Sequence, residues 1–292
     1  MKPAPFVWHG PRTLQEAVAD LAEVGDEGKV LAGGQSLIPV LAMRLAEPAH
    51  LVDINGVAEL DYVTAEAAGV TVGAMARHAT VERDPGARRV QPLLSQALRN
   101  VAHPTIRNRG TTVGSLAHAD PSGEMTAVLT LLGGTVTARS ARGEREIAAA
   151  DFFAGPLESS LEHDELAVRA FFPALPAGSG SAFVEIARRH GDYALCGVGA
   201  VVTPVAGGGM AQVRCAYLSV SEVPLVLDLT EVWNSSPRDA AEAARRGVDP
   251  SDDLHATADY RRQLAATLTV RAVRAAIDEA GQRAAAQEGS RV

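Results

Sequence analysis

Two short segments carry the residue types that hold an anion without basic side chains. AGGQS, residues 32–36, places paired glycines, an amide and a hydroxyl directly after an apolar run. GTTVGS, residues 110–115, again joins small residues and hydroxyls and leads toward a helix. Glycine permits φ > 0 and lets a ligand approach the main chain closely. Successive backbone N–H groups in such a turn form a concavity for anions, and a helix start adds partial positive charge. One Gly-Gly alone reads as a tight strand-to-helix turn, whereas two such loops can grip one pyrophosphate from opposite sides. Neither is followed by the GK[ST] of a P-loop, and neither fits GxGxxG, which speaks against an NTPase or an ordinary Rossmann NAD site.

The composition sets the outer limits. At 292 residues, 47% hydrophobic and 21% charged, the chain has ordinary soluble composition and the length of two domains. A net charge of −8 disfavours a nucleic-acid groove, so a bound anion must be held locally by the backbone. MKPAPFVWHGP lacks the apolar core of a signal peptide, and residues 194–211 are too interrupted by Gly and Pro to span a bilayer. The expectation is a cytoplasmic protein with no transmembrane segment. Cys196 and Cys215 match neither zinc nor iron–sulfur spacing and read as buried free thiols.

The elements that must position the loops follow from periodicity and punctuation. Thr13 and Glu16 form a capping box, and Leu14, Ala17, Val18 and Leu21 share one face of a helix ending near Gly25. A strand at 29–32, a helix at 37–45 and a strand at 50–54 follow, the last closed by Asn55-Gly56. Val70, Val72 and Ala74 alternate as a strand, with helices expected at 92–101 and 124–132 and strands at 135–139 and 165–172. Residues 173–181 concentrate Pro, Gly and Ser and mark a domain boundary. Beyond it, 182–187, 199–205 and 212–220 read as an antiparallel sheet covered by a helix at 256–280, and the final residues as a disordered tail.

With these residues in place, the chain resembles the flavin subunit of the molybdenum hydroxylases, the xanthine oxidase and carbon monoxide dehydrogenase family. The likeness rests on AGGQS and TTVGS together with HPTIRNRGT (103–111), SLAHADPSGE (115–124), ARRHGDYAL (187–195) and HATADYRRQLA (255–265), four further segments in the right order. It implies an α+β fold: a two-subdomain FAD-binding domain of the vanillyl-alcohol-oxidase (PCMH) type, then a C-terminal domain with an antiparallel sheet and helices. The corresponding boundaries are 1–175, divided near residue 56, then 176–285 and a tail at 286–292. It further implies FAD on this chain, [2Fe–2S] clusters on a small partner and the molybdopterin cofactor on a large one, in a dimer of heterotrimers. Electrons would reach the flavin and leave to an external acceptor, and no residue here need be catalytic or ligate a metal.

Carried over position by position, the resemblance assigns Lys29, Val30, Leu31, Ala32, Gly33, Gly34, Gln35, Ser36 and Leu37 to the first pyrophosphate loop and the ribityl chain. Gly110, Thr111, Thr112, Val113, Gly114 and Ser115 form the second loop. Val101 and Ile106 would touch flavin or adenine, Glu124 would accept from FAD hydroxyls, Leu166 would offer backbone groups near the ring edge, and Tyr193 would cover a ring face. Many relatives of that family have Gly-Gly where this chain has Val113-Gly114, so either Val113 is ordinarily extended with its side chain turned away from the phosphates, the preferred reading, or FAD binding is weakened.

Other residues read more plainly. His118 and Asp120 are loop-packing residues, and His103-Pro104 is a turn element. Arg188-Arg189-His190 is either a solvated cluster or a partner-facing surface. No Ser–His–Asp set has a nucleophile elbow. Two other functions fit the same loops: a stand-alone FAD oxidase, which requires a substrate pocket with a base at the ring, and a scaffold that has lost its flavin.

Overall fold

The computed structural model describes residues 2–289. After β1 (Val7–His9), the Thr13 hydroxyl accepts the Glu16 N–H at 3.1 Å and the Glu16 carboxylate accepts the Thr13 N–H at 3.3 Å. This capping box starts α1 (Leu14–Val24), which buries Ala17, Val18 and Leu21. There follow β2 (Gly28–Leu31), α2 (Leu37–Ala42) and β3 (His50–Asp53), the strands forming a parallel sheet in the order β1-β3-β2. α2 stops before residue 45 because the chain turns back at Arg44, which takes a positive φ of 56°.

The second unit begins with the hairpin of β4 (Val63–Glu66) and β5 (Gly69–Gly73). Six short helices follow: α3 (His78–Arg83), α4 (Pro85–Val90), α5 (Pro92–Leu98), α6 (Pro104–Arg107), α7 (Thr112–His118) and α8 (Glu124–Leu132). Proline opens three of them, at a position where its missing N–H costs nothing. Then come β6 (Thr135–Ser140), β7 (Gly143–Ala148), α9 (Ala149–Phe152), the small pair β8 (Phe153–Gly155) and β9 (Glu158–Ser159), and β10 (Leu166–Pro173). The large sheet is antiparallel in the order β4-β5-β10-β6-β7. Leu93, Leu94 and Leu98 of α5, Leu116 of α7 and Met125 and Leu129 of α8 bury themselves with Val72, Val136 and Phe172 from that sheet.

The third unit is an antiparallel sheet in sequence order, β11 (Gly180–Ala187), β12 (Ala194–Pro204), β13 (Met210–Leu218) and β14 (Leu225–Asp228). It is followed by α10 (Thr230–Ser235), α11 (Pro237–Gly247) and α12 (Ala258–Gly289). α12 lies on β11 and β12, where Gly180 admits the carbonyl of Ala276 and the Tyr217 hydroxyl meets Thr269 Oγ1 at 2.7 Å. β12 starts five residues before the expected 199, and α12 runs beyond the expected 280. Residues 286–289 of the expected tail are therefore helical, and 290–292 lie outside the described residues. Ala194, Val201, Ala216 and Leu218 of β12 and β13 join the core of the second unit, so the two sheets share an apolar interior through α8.

Cys196 and Cys215 are free and buried, and burial pushes both thiols up to about 12. No helix among the described residues is long and apolar enough to cross a membrane.

Candidate functional site

β2 ends at Leu31, and the chain turns through Ala32, Gly33 and Gly34 into α2. Gly34 takes φ +72°, where a side chain would be strained. Gly33 is needed for a different reason: a Cβ there would lie 2.5 Å from the Arg109 carbonyl oxygen, 2.7 Å from Gly110 Cα and 3.0 Å from Thr111 N. The first loop thus sits directly against the second. Gln35 Nε2 donates to the Gly33 carbonyl at 2.9 Å and closes the turn. Among the described residues no protein acceptor takes the N–H groups of Gly34, Gln35 and Ser36, and the Ser36 side chain makes no cap bond. Three successive unpaired N–H donors before a helix are chemically suited to an anion lying at the turn. Val30, Leu31, Ala32 and Leu37 are half-buried around it, while Lys29 is exposed on β2.

The second segment is a helix start and not the open loop that its residues suggest. Thr111 caps α7, its Oγ1 accepting the Gly114 N–H at 3.2 Å. Thr112 lies 3.3 Å from His78 Nδ1, and its N–H donates to the Ala76 carbonyl at 3.3 Å. Both threonines are buried, so their hydroxyls serve the protein first. Val113 keeps a negative φ but is helical, where an extended conformation is expected from sequence, and its side chain is in the core. The first turn of a helix places a β-branched residue there without strain. Gly114 and Ser115 are half-buried, and a Cβ at Gly114 would come 3.8 Å from the Ala32 Cβ. Gly110 is buried, with no room for a Cβ beside the His78 ring, 2.9 Å away. Burial and the Arg107 charge push His78 down to about 4, so the ring is neutral.

Further polar contacts brace the two segments. Asn55 Nδ2 donates to the Ala32 carbonyl at 2.7 Å and to Asp53 Oδ1 at 2.6 Å. Arg77 Nη2 donates to Asn55 Oδ1 at 2.8 Å, and its Nη1 donates to the Arg109 carbonyl. Asn55, Arg77 and His78 escape a reading of sequence because their partners lie 22 to 34 positions away. Asn55-Gly56 carries the signal of a strand-closing turn and nothing more.

A second cluster lies past the far end of α7, a helix of seven residues and so about 10 Å long. Glu124 opens α8 there. Burial, then Glu185 on β11 and Asp120, push its carboxyl up to about 8, against a smaller opposing effect of Arg107. Its protonated form, able both to donate and to accept, is therefore favoured near neutral pH, and the carboxyl oxygens still allow the acceptor role expected from sequence. Burial likewise pushes Glu185 up to about 7, and its Oε2 has no protein partner among the described residues.

Tyr193, on the turn between β11 and β12, presents an exposed ring. Burial of its hydroxyl end, with Asp120 and Glu124 alongside, pushes the phenol up to about 12. Asp120 itself accepts the Ser122 N–H at 2.8 Å, a turn role, and His118 ends α7. The 188–193 turn leans on α6: Gly191 (φ +88°) abuts the His103 ring, and His103 meets His190 edge to face at 6.0 Å. Arg188, Arg189 and His190 are exposed on that turn.

Val101 and Ile106 are half-buried on either side of the α6 start, where Arg107 donates to the Val101 carbonyl at 3.0 Å. Leu166 is buried at the start of β10, the strand against which α7 packs, and is paired with Arg139. The structure thus brings together residues 32–36 and 110–115, sets Glu124 and Tyr193 beside each other one short helix away, and leaves Lys29 on the outside and Leu166 in the core.

Comparison with known proteins matches the chain to two families. The family described as the FAD binding domain in molybdopterin dehydrogenase matches residues 4–175, and the CO dehydrogenase flavoprotein C-terminal domain matches 181–276. The caffeine dehydrogenase subunit beta of Pseudomonas sp. (strain CBB1) is 40% identical over 95% of this chain and 97% of its own length. The nicotine 6-hydroxylase medium subunit of Paenarthrobacter nicotinovorans is 39% identical over 97% and 100%. A chain in the structure of carbon monoxide dehydrogenase from Hydrogenophaga pseudoflava superposes with a TM-score of 0.91 at 34% identity, covering 96% of this chain and 99% of that one.

Proposed function

Because the chain belongs to the FAD-binding medium subunits of the molybdenum hydroxylase family, we propose that it clasps the FAD pyrophosphate between residues 33–36 and 110–115 and relays electrons from iron–sulfur clusters to an external acceptor. The observation that carries this reading is the contact at Gly33: two main-chain segments meet with no room for a side chain, beside three N–H groups that lack a partner. The residues fit the cofactor. A diphosphate would satisfy the Gly34, Gln35 and Ser36 donors, and Arg77, whose Nη atoms hold Asn55 and the Arg109 carbonyl, adds positive charge to the link between the segments. Glu124, protonated, both gives and accepts a hydrogen bond at a ribityl hydroxyl. Val101 and Ile106 offer apolar contact, Leu166 backbone groups and Tyr193 a ring for one flavin face.

FAD, when bound, supplies the redox chemistry. The protein binds, orients and shields it. In this reading the [2Fe–2S] clusters sit on a small partner and the molybdopterin cofactor on a large one, in a cytoplasmic dimer of heterotrimers, with the chain dividing at 1–175 and 176–285. The large partner's substrate is an N-heterocycle: the relatives named for caffeine and nicotine are 40% and 39% identical, against 34% for the carbon monoxide dehydrogenase chain.

The test is reduction of the purified, FAD-loaded chain. A relay subunit stays yellow with caffeine or nicotine alone and bleaches when the small and large partners are added. Bleaching without partners would establish a stand-alone oxidase, and failure to take up flavin a scaffold.

A further inference from the structure

We propose that Arg77 and Asn55 form a strut that fixes the separation of the two diphosphate-facing segments, which makes both of them positioning residues for the cofactor. The inference rests on the flavin reading above.

The two segments belong to different units, one following β2 of the parallel sheet and the other following α6 beside the antiparallel sheet. Among the described residues no main-chain hydrogen bond joins 32–36 to 109–115, and their direct contact at Gly33 is van der Waals in character. The polar link runs through two side chains. The Ala32 carbonyl accepts from Asn55 Nδ2 at 2.7 Å, Asn55 Oδ1 accepts from Arg77 Nη2 at 2.8 Å, and Arg77 Nη1 donates to the Arg109 carbonyl. That Arg109 oxygen is the first atom a Cβ added at Gly33 would meet, so the strut ends where the segments press together.

Chemistry fixes the direction of every bond in the chain. A guanidinium cannot accept and a carbonyl cannot donate, so the Asn55 amide must turn its oxygen to Arg77 and its nitrogen to Ala32. Both ends are anchored. Asp53 Oδ1 accepts the Asn55 N–H at 3.0 Å as well as the amide at 2.6 Å, and Asp53 Oδ2 accepts from Trp8 Nε1 at 3.3 Å. The Arg77 main chain bridges Thr111, and the next residue, His78, donates its N–H to the Gly110 carbonyl at 2.9 Å. With its two Nη atoms engaged, Arg77 acts on a diphosphate mainly by placing the Gly34, Gln35 and Ser36 donors opposite the start of α7.

The full-length chain is titrated with FAD and with ADP, which carries the same diphosphate, and the visible circular dichroism of bound flavin is recorded. Asn55→Ala, Asn55→Asp and Arg77→Gln should each weaken both ligands by about tenfold, the effect of one lost hydrogen bond to a charged group. Arg77→Lys should do the same, because an ammonium is a point donor that does not reproduce the fork. The double variant Asn55→Ala/Arg77→Gln should be no weaker than the worse single one, as expected of residues acting in series. The flavin dichroism should change, while the ligand-free variants should unfold in a single thermal transition close to the parent's, since Asn55 is exposed and Arg77 half-buried. Wild-type affinity in Arg77→Lys together with Asn55→Ala would overturn the strut and leave the flavin reading intact. A parent chain that takes up no FAD would overturn both.

Discussion

Replacing Gly33 with alanine adds one methyl group where two chain segments touch. Its carbon would sit 2.5 Å from the Arg109 oxygen, 2.7 Å from Gly110 Cα and 3.0 Å from Thr111 N. An unstrained carbon–oxygen contact is about 3.3 Å or more, so the segments must part by roughly 0.8 Å. None of the three neighbours is a flexible side chain, and the Arg109 carbonyl is held by Arg77. Gly33 does not have a positive φ, so the backbone itself tolerates alanine and the whole cost falls on the spacing between segments. Overpacking of this kind costs about 1–3 kcal/mol. If that cost appears as separation of the diphosphate donors, FAD affinity falls about 10- to 100-fold, at 1.4 kcal/mol per tenfold.

The assay is the flavin-to-polypeptide ratio after gel filtration, followed by titration of the stripped protein with FAD. Gly281→Ala is the control, since nothing lies within 4 Å of its added carbon. Gly33→Ala with parental FAD affinity and parental unfolding would refute the reasoning, because the methyl would then have found room that the geometry denies.

Other expectations concern stability. Val113→Gly empties a core position and weakens α7, and it should lower stability by about 2–4 kcal/mol in calorimetry. The ligand-free chain should lose stability as pH rises from about 4.5 to about 8, because Glu124 and Glu185 keep their protons in the folded state while the unfolded chain releases them. Glu185→Gln should flatten that slope in melting curves taken across the range, given that Glu185 and Asp120 face Glu124 against Arg107. Tyr217→Phe should cost about 1–2 kcal/mol by removing the buried bond from its hydroxyl to Thr269 Oγ1, which keeps only its own bond to the Ala265 carbonyl, and a Thr269→Val background should remove most of that penalty.

Elements with strong local signals are legible in the chain. The Thr13–Glu16 box, α8 over Glu124–Leu132, and β3 all stand within about a residue of where periodicity and caps put them. α7 is hidden because Thr-Thr-Val-Gly-Ser has poor helix propensity, and the Thr111 hydroxyl that announces its start also reads as a phosphate ligand. α11 carries a start signal in Ser236-Pro237, but its buried face is Ala240 and Ala244, too small to show a hydrophobic stripe. The pairing order of the large sheet puts β10 between β5, about a hundred residues away, and β6, about thirty away, and has no local signature. At the site, both glycine segments are visible as types. The Asn55–Arg77 link and the protonation of Glu124 are tertiary properties, since each depends on what another part of the chain brings alongside.

The apolar interior common to the two larger sheets has a practical consequence for anyone wishing to shorten this polypeptide. A fragment ending at the Pro-Gly-Ser stretch would contain every glycine of the proposed diphosphate cradle. It would also present to water the face of α8 normally roofed by Ala194, Val201, Ala216 and Leu218, and it would lack Tyr193 and Glu185 altogether. Such a piece should aggregate before it can be loaded, so the unit of folding is the entire subunit even though the unit of sequence is the domain.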